Sequence, residues 1–351
     1  MVKERKYYMD FLRIISIVLV MLTHCCDNFW LGIDVSDSRW TVVSLFLCMC
    51  HCAVPMFFMI SGALFLDNEK TITIKSIYTK YIPRVFAAYV VWSAIYIAGS
   101  EPRSVSGVAT LFAKSFYHLW FIPVLIGCYV VVPFLRKITE SEKLTKYFLA
   151  VGVIFFILTI SVLPLLEDVP SKLVSIPAVS LKDFLSKMSV LMVYKYPFYM
   201  VLGYYLSKKD FSKIKAGLTM GLGVVGYALS LTFVLVRAAK TNKFDDTMFD
   251  KFSIPVLLMA VGLFVFGKYV LSKIKLSEKS GRFVSFFSKS TFGAYLIHVL
   301  FINFFEKNLG FTILSIHPVL GIPCFLLAVF VVSTLSSMVL NKIPFVKKYL
   351  V

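Results

Sequence analysis

Charge is scarce in this chain, and acidic charge is scarcer. Only 16% of the residues are charged, with 19 Asp+Glu against 37 Lys+Arg. No phosphate-binding glycine loop, nucleophile elbow or HExxH pattern occurs, which removes the soluble enzyme classes built on those motifs. No low-complexity segment, composition shift or long linker divides the sequence, so one domain over residues 1–351 is expected. Seven cysteines (Cys25, Cys26, Cys48, Cys50, Cys52, Cys128 and Cys324) lie in or beside apolar segments, none in a long polar loop. Their number is odd as well, which argues against a disulfide scaffold.

What is abundant is apolar residue. The hydrophobic fraction is 59% and the mean hydropathy +0.82, whereas soluble domains are about 45–50% apolar. Runs of about 20 apolar residues, the length that crosses a bilayer, recur from end to end. The fold class is therefore all-α, a polytopic membrane protein. Ten spans are placed near 8–26, 41–66, 78–99, 118–135, 147–166, 190–207, 214–236, 253–271, 291–305 and 318–341. The ninth is short and is expected to extend toward Glu306 or back toward Phe283. Lys3, Arg5 and Lys6 precede the first run as in a signal peptide. Asp10 and Arg13 interrupt its core, however, and no small-residue cleavage site follows, so it reads as a retained first helix.

Charge tests this partition. With both termini in the cytoplasm, the inside segments hold 24 of the basic residues and 7 of the acidic ones, a balance of +17. The outside loops hold 11 of each and balance to zero. Every cytoplasmic loop is basic, as the positive-inside rule requires. That asymmetry, with attraction to anionic lipid, accounts for the net charge of +18 and excludes nucleic acid as the partner.

Ionisable residues inside membrane helices are costly and mark function. Arg13 and His24 are eleven positions apart, roughly three helical turns, so they share one face about 16 Å apart along the axis. Arg13 falls in the cytoplasmic third and His24 in the outer third. The ordinary readings are that Arg13 snorkels or pairs with Asp10 at i−3, and that His24 is an interfacial histidine. In "CMCHCAVPMFFMISG", residues 48–62, helical spacing puts Cys48, His51 and Cys52 on one face and turns Cys50 away. No common zinc spacing results, and thiol packing accounts for the cluster better than a metal site shared with His24, Cys25 and Cys26. Pro55 frees a backbone carbonyl, and Ser61-Gly62 allows backbone or ligand to approach. His118 and Trp120 open the fourth span, where an aromatic belt is the ordinary reading. Lys75, Lys80 and Arg84 stand where the third span enters, as positive-inside charge or a phosphate-binding mouth. Lys195 snorkels, and Tyr295 and His298 share a face of the ninth span. "GLGVVG" at 221–226 lies inside an apolar span and reads as packing, not a dinucleotide site.

Four stretches in order resemble the acyltransferase-3 family of membrane-bound O-acyltransferases: "MDFLRIISIVLVMLTH", "VPMFFMISGALF", "HLWFIPVLIGCYVVVPFL" and "TFGAYLIHVLF". Arg13 and His24 match the family's R-x10-H pattern. The resemblance implies transfer of an acyl group, often acetyl, from cytoplasmic acyl-CoA as co-substrate to a hydroxyl of an outer glycan, lipid-linked sugar or related acceptor, in the plasma or inner membrane. It makes His24 the catalytic histidine and Arg13 its partner. Lys80, Arg84 and Ser61 are assigned to the donor, and His118, Trp120, Tyr295 and His298 to the acceptor. No metal is expected. Many members carry a soluble C-terminal hydrolase-like domain; here the tenth span is followed directly by residue 351, so a second activity is expected from another protein. Histidine suits such chemistry as general base, or as a relay that is itself acylated. A 16 Å separation forbids direct contact of Arg13 with His24, so either the pantetheine arm spans it or the group is relayed. The competing reading is a transporter of a small polar solute, against which no five-span repeat is found.

Overall fold

Among the described residues, eight helical stretches are long and apolar enough to cross a bilayer, and no strand occurs. The computed structural model describes residues 6–99, 105–156 and 195–350, with a few positions between 184 and 193. The chain is an all-α, multi-pass membrane protein.

Helix α1, Tyr7–Gly32, runs further than the apolar count alone indicates, because no proline or glycine interrupts it before Gly32. Asp10 in its first turn suits the positive end of the helix dipole. α1 is the hub of the molecule and packs against α2, Ser38–Cys48; α3, Ala53–Phe65; and two late helices, α12, Glu278–Asn308, and α13, Pro318–Leu340. Leu12, Ile17 and Met21 on α1 are fully buried.

The second span is not one helix. α2 ends at Cys48, Cys50–Cys52 form a tighter turn, and α3 begins at Ala53. Pro55 has no N–H to offer the carbonyl of His51, so the regular ladder fails there. The α-helical register that grouped Cys48, His51 and Cys52 therefore does not hold through this stretch.

The third span opens with a capping box, the Thr73 hydroxyl accepting from Ser76 N–H at 3.1 Å and the Ser76 hydroxyl from Thr73 N–H at 3.1 Å. The short α4, Ile74–Ser76, passes through a π-helical turn, Ile77–Tyr81, into α5, Ile82–Ala98. Beyond it lies α6, Val105–Lys114, which apolar run-counting misses; the Tyr89 hydroxyl donates to Phe112 O at 2.5 Å across to it. The fourth span is α7, Phe121–Thr139. The fifth is seen as α8, Glu142–Phe156, the remainder of 147–166 lying outside the described residues. The sixth is seen as α9, Tyr196–Lys208, with Lys195 in extended backbone at its start.

Close helix packing explains several small residues. A Cβ at Gly62 on α3 would strike the Met200 backbone of α9, and one at Gly203 on α9 would strike the Met59 backbone of α3. The pair lets the two backbones meet directly. "GLGVVG" lies within α10, Lys213–Thr241, where Gly223 and Gly226 face Gly262 and Pro255 of α11, Ile254–Tyr269. It is a packing seam, as read.

Basic residues close helix ends on one side of the bundle, the side that the loop charges assign to the cytoplasm. Arg136 donates to Phe65 O at 2.7 Å, Asp67 O at 3.1 Å and Lys70 O at 2.9 Å, satisfying carbonyls where α3 stops. Lys268 donates to Leu206 O at 3.2 Å and Ser207 O at 3.1 Å where α9 stops. The ninth span, α12, is 31 residues long and begins at a Ser277 cap, so it extends both ways beyond 291–305. After α13 the chain turns back as α14, Pro344–Tyr349, which lies against α5 with Trp92 Nε1 donating to Leu350 O at 3.0 Å.

Candidate functional site

A single cavity of about 770 Å³ is lined by both Arg13 and His24, so it extends along the whole polar face of α1. α3, α5, α7 and α12 supply its other walls.

At the end near the start of α1 the Arg13 Nη1 lies 3.5 Å from Asp10 Oδ1, and the buried Asp10 also accepts from the Ser288 hydroxyl at 2.7 Å. The i−3 pairing read from spacing is thus present, and the guanidinium lines the cavity as well. Arg84, Ser61, Lys289 and Lys347 stand on the same walls. Among the described residues neither Lys289 nor Lys347 has an ion-pair partner. Lys80 does not reach the cavity: it is exposed, its Nζ 5.5 Å from the centre of the Tyr81 ring. The π-helical turn carries Lys80 outward and leaves Arg84, at the first turn of α5, as the inward cation.

The middle of the cavity is apolar and aromatic, with Val20, Phe57, Phe121 and Leu125. At the outer end three histidines from three segments converge. The His24 ring centre lies 5.3 Å from that of His298 and 6.3 Å from that of His118, and the latter two are 5.3 Å apart. His118 and His298 are buried. His24 Nδ1 lies 3.8 Å from Asp27 Oδ2, one turn further along α1.

Tyr295 lines the cavity, but its hydroxyl donates to His118 O at 2.5 Å and so holds the segment before α7 against α12. The neighbouring carbonyl, Leu296 O, accepts from the Tyr96 hydroxyl at 2.8 Å. Trp120 is on the wall, with Lys251 Nζ 5.3 Å from its ring centre. His298 stands behind His24 and His118 and is not on the wall.

Sequence reasoning named neither Asp27 nor Tyr117, Lys251, Lys289 or Lys347 as site residues, though all five line the cavity. Asp27 was within reach of the helical spacing rule, three residues beyond His24. The others come from distant segments, and no local pattern marks them. The CMCHC cluster packs: the His51 ring stacks on Phe249 with centres 4.1 Å apart, and the Cys50 thiol donates to Phe46 O at 3.1 Å. Among the described residues no three His, Cys, Asp or Glu side chains are grouped closely enough to hold a metal ion.

The histidines, with Asp27 and Lys251, lie at one end of the apolar throat, and Lys289 and Lys347, without ion-pair partners among the described residues, at the other. The model of a family described as an acyltransferase domain matches residues 6–340. No curated protein and no solved structure matches the chain.

Proposed function

The chain belongs to the acyltransferase-3 family, and from that premise we propose that it moves an acyl group, acetyl by expectation, from cytoplasmic acyl-CoA to a hydroxyl of a glycan or lipid-linked sugar outside the cell membrane. The observation that carries this reading is the continuity of one cavity from Arg13 to His24. It offers an extended pantetheine arm a path along α1, so the acyl carbon is delivered to His24 while the phosphates stay among Arg84, Lys289 and Lys347. A relay between the two residues is then unnecessary.

Each residue has a task in this scheme. Arg13, steadied by Asp10, donates hydrogen bonds to polar groups of the arm. His24 removes the proton of the acceptor hydroxyl as it attacks the thioester. The acceptor rests among Tyr117, Trp120 and Phe121, whose ring faces suit the apolar face of a sugar. Membranes containing the protein and supplied with radiolabelled acetyl-CoA should transfer label to an endogenous glycan. His24→Ala at an unchanged protein level should lower transfer by about 10²–10⁴-fold, the usual worth of a positioned general base. Full activity in that variant would remove His24 from the mechanism. Vesicle uptake of a free solute with no covalent labelling would place the chain among transporters instead.

A further inference from the structure

Several buried ring nitrogens near the outer end of the cavity have no hydrogen-bond partner, among them Nδ1 of His24, Nε2 of His298 and both nitrogens of His118. Buried polar atoms without partners are rare in folded proteins and call for an explanation. His24 and His298 are neighbouring rings on α1 and α12, with planes inclined by 35° and centres 5.3 Å apart, whereas His118 stands 6.3 Å from His24 with its plane inclined by 72°. Of this pair, His24 Nδ1 is a donor in waiting and His298 Nε2 an acceptor.

The assignment follows from their surroundings. His298 Nδ1 lies 2.6 Å from the carbonyl oxygen of Tyr295. A carbonyl only accepts, so Nδ1 carries the proton and Nε2 is a bare lone pair. On His24 the Asp27 carboxylate, 3.8 Å from Nδ1, favours the proton on that nitrogen. Nδ1 is the buried nitrogen of a ring that lines the cavity, which leaves Nε2 on the cavity side with its lone pair free.

We propose that His298 is the positioning residue of His24: its Nε2 accepts the Nδ1–H of His24 when donor and acceptor are bound. The chain of contacts then runs from the Tyr295 carbonyl through His298 to His24 and ends at the acceptor hydroxyl. A histidine thereby does the orienting that a carboxylate does in a serine-protease triad. The inference rests on the acyl-transfer reading. In that step the acceptor oxygen bonds to the acyl carbon while its proton passes to His24 Nε2. The carbon–sulfur bond breaks, and the imidazolium returns the same proton to the departing thiolate. Asp27 balances the transient positive charge. The other polar groups around the pair are His118, Tyr117, His51 and Lys251 on the cavity side and Glu306 further along α12.

The test measures transfer kinetics in membranes for His298→Ala, His298→Asn and Asp27→Asn, alone and in the His24→Ala background. His298→Ala should lower kcat by about 10²-fold and leave the KM for acetyl-CoA within about twofold. His298→Asn, whose amide oxygen can accept the same proton, should recover at least a tenth of the wild-type kcat. With His24 already replaced, removing His298 should cause no further loss, because the two act as a unit. An additive loss, an effect on KM alone, or equal defects in the Ala and Asn variants at wild-type protein level would overturn the assignment. So would a full loss in Asp27→Asn with none in His298→Ala. An inactive wild-type protein would instead count against acyl transfer itself, so the two failures are distinct.

Discussion

His24 and Lys347 lie on one cavity but differ in how visible they are in the sequence. His24 announces itself because a titratable ring in an apolar helix is costly unless used, and the spacing to Arg13 adds a shared face. His118 and His298 are legible one at a time, the first where the fourth span opens and the second on a face of the ninth span. Their convergence within 6.3 Å of His24 is not, since it depends on how α12 and the start of α7 pack on α1. Lys347 carries no signal at all, because a lysine after the last span is what the positive-inside rule expects anyway. Lys80 shows the reverse error: five- and four-residue spacing with Lys75 and Arg84 made it look like part of a mouth, and a π-helical turn rotates it away. Donor binding should follow the geometry. Lys347→Glu places a carboxylate on the donor's phosphate side and should raise the KM for acetyl-CoA about tenfold, a shift of about 1.4 kcal/mol. It should leave the KM for acetyl-pantetheine, which lacks phosphates, unchanged. Lys80→Glu should alter neither by more than about twofold. Steady-state kinetics with both donors decide between them, and equal sensitivity of both donors to Lys347→Glu would mean a structural role.

At the scale of elements, hydropathy locates spans well and misses what happens inside them. The break between α2 and α3 was foreshadowed by Pro55 alone, and α6 and α14 by nothing in the apolar count. Small residues were the more useful signal. Ser61-Gly62 was read as a point of close approach, and Gly62 is where α3 meets the backbone of α9, reciprocated by Gly203. Methyl groups have no room there, while Gly217 and Gly221 on α10 have nothing within 4 Å of an added Cβ. Gly62→Ala should therefore force α3 and α9 apart and destabilise by about 1–3 kcal/mol, the usual range for overpacking. Gly221→Ala should be neutral or mildly stabilising, since alanine favours helix more than glycine does. Thermal unfolding of the purified protein in detergent, followed by the light scattering of aggregation, separates the two. A Gly62→Ala variant as stable as the parent would show that the seam can open without cost. Transfer activity should fall with Gly62→Ala as well, because Ser61, next in the chain, sits on the cavity wall.

At the scale of the whole molecule, charge asymmetry and cavity direction make one prediction together. The side that the loop charges assign to the cytoplasm is expected to carry 24 of 37 basic residues, and helix ends there are closed by Arg136 and Lys268. The cavity mouth on that side adds Lys289 and Lys347 without ion pairs among the described residues. The opposite end offers histidines, Asp27 and aromatic rings, with Lys251 set over Trp120. A polyanionic donor of the proposed kind would therefore be attracted to one face only, and the bilayer would prevent it from reaching the other. In sealed inside-out vesicles, added acetyl-CoA should support transfer. In right-side-out vesicles it should not, although a hydroxyl acceptor added outside should then be modified once donor is loaded into the lumen. Raising salt from 50 to 500 mM shortens the screening length from over 10 Å to under 5 Å, so it should raise the KM for acetyl-CoA several-fold in the inside-out vesicles and leave that for acetyl-pantetheine unchanged. Transfer from donor added to right-side-out vesicles would reverse the assigned direction. Salt sensitivity shared by both donors would trace the effect to the acceptor end. One measurement thus tests the orientation that loop charges imply and the polarity of the cavity, and the two stand or fall by different readouts: vesicle sidedness for the first, donor-specific salt dependence for the second.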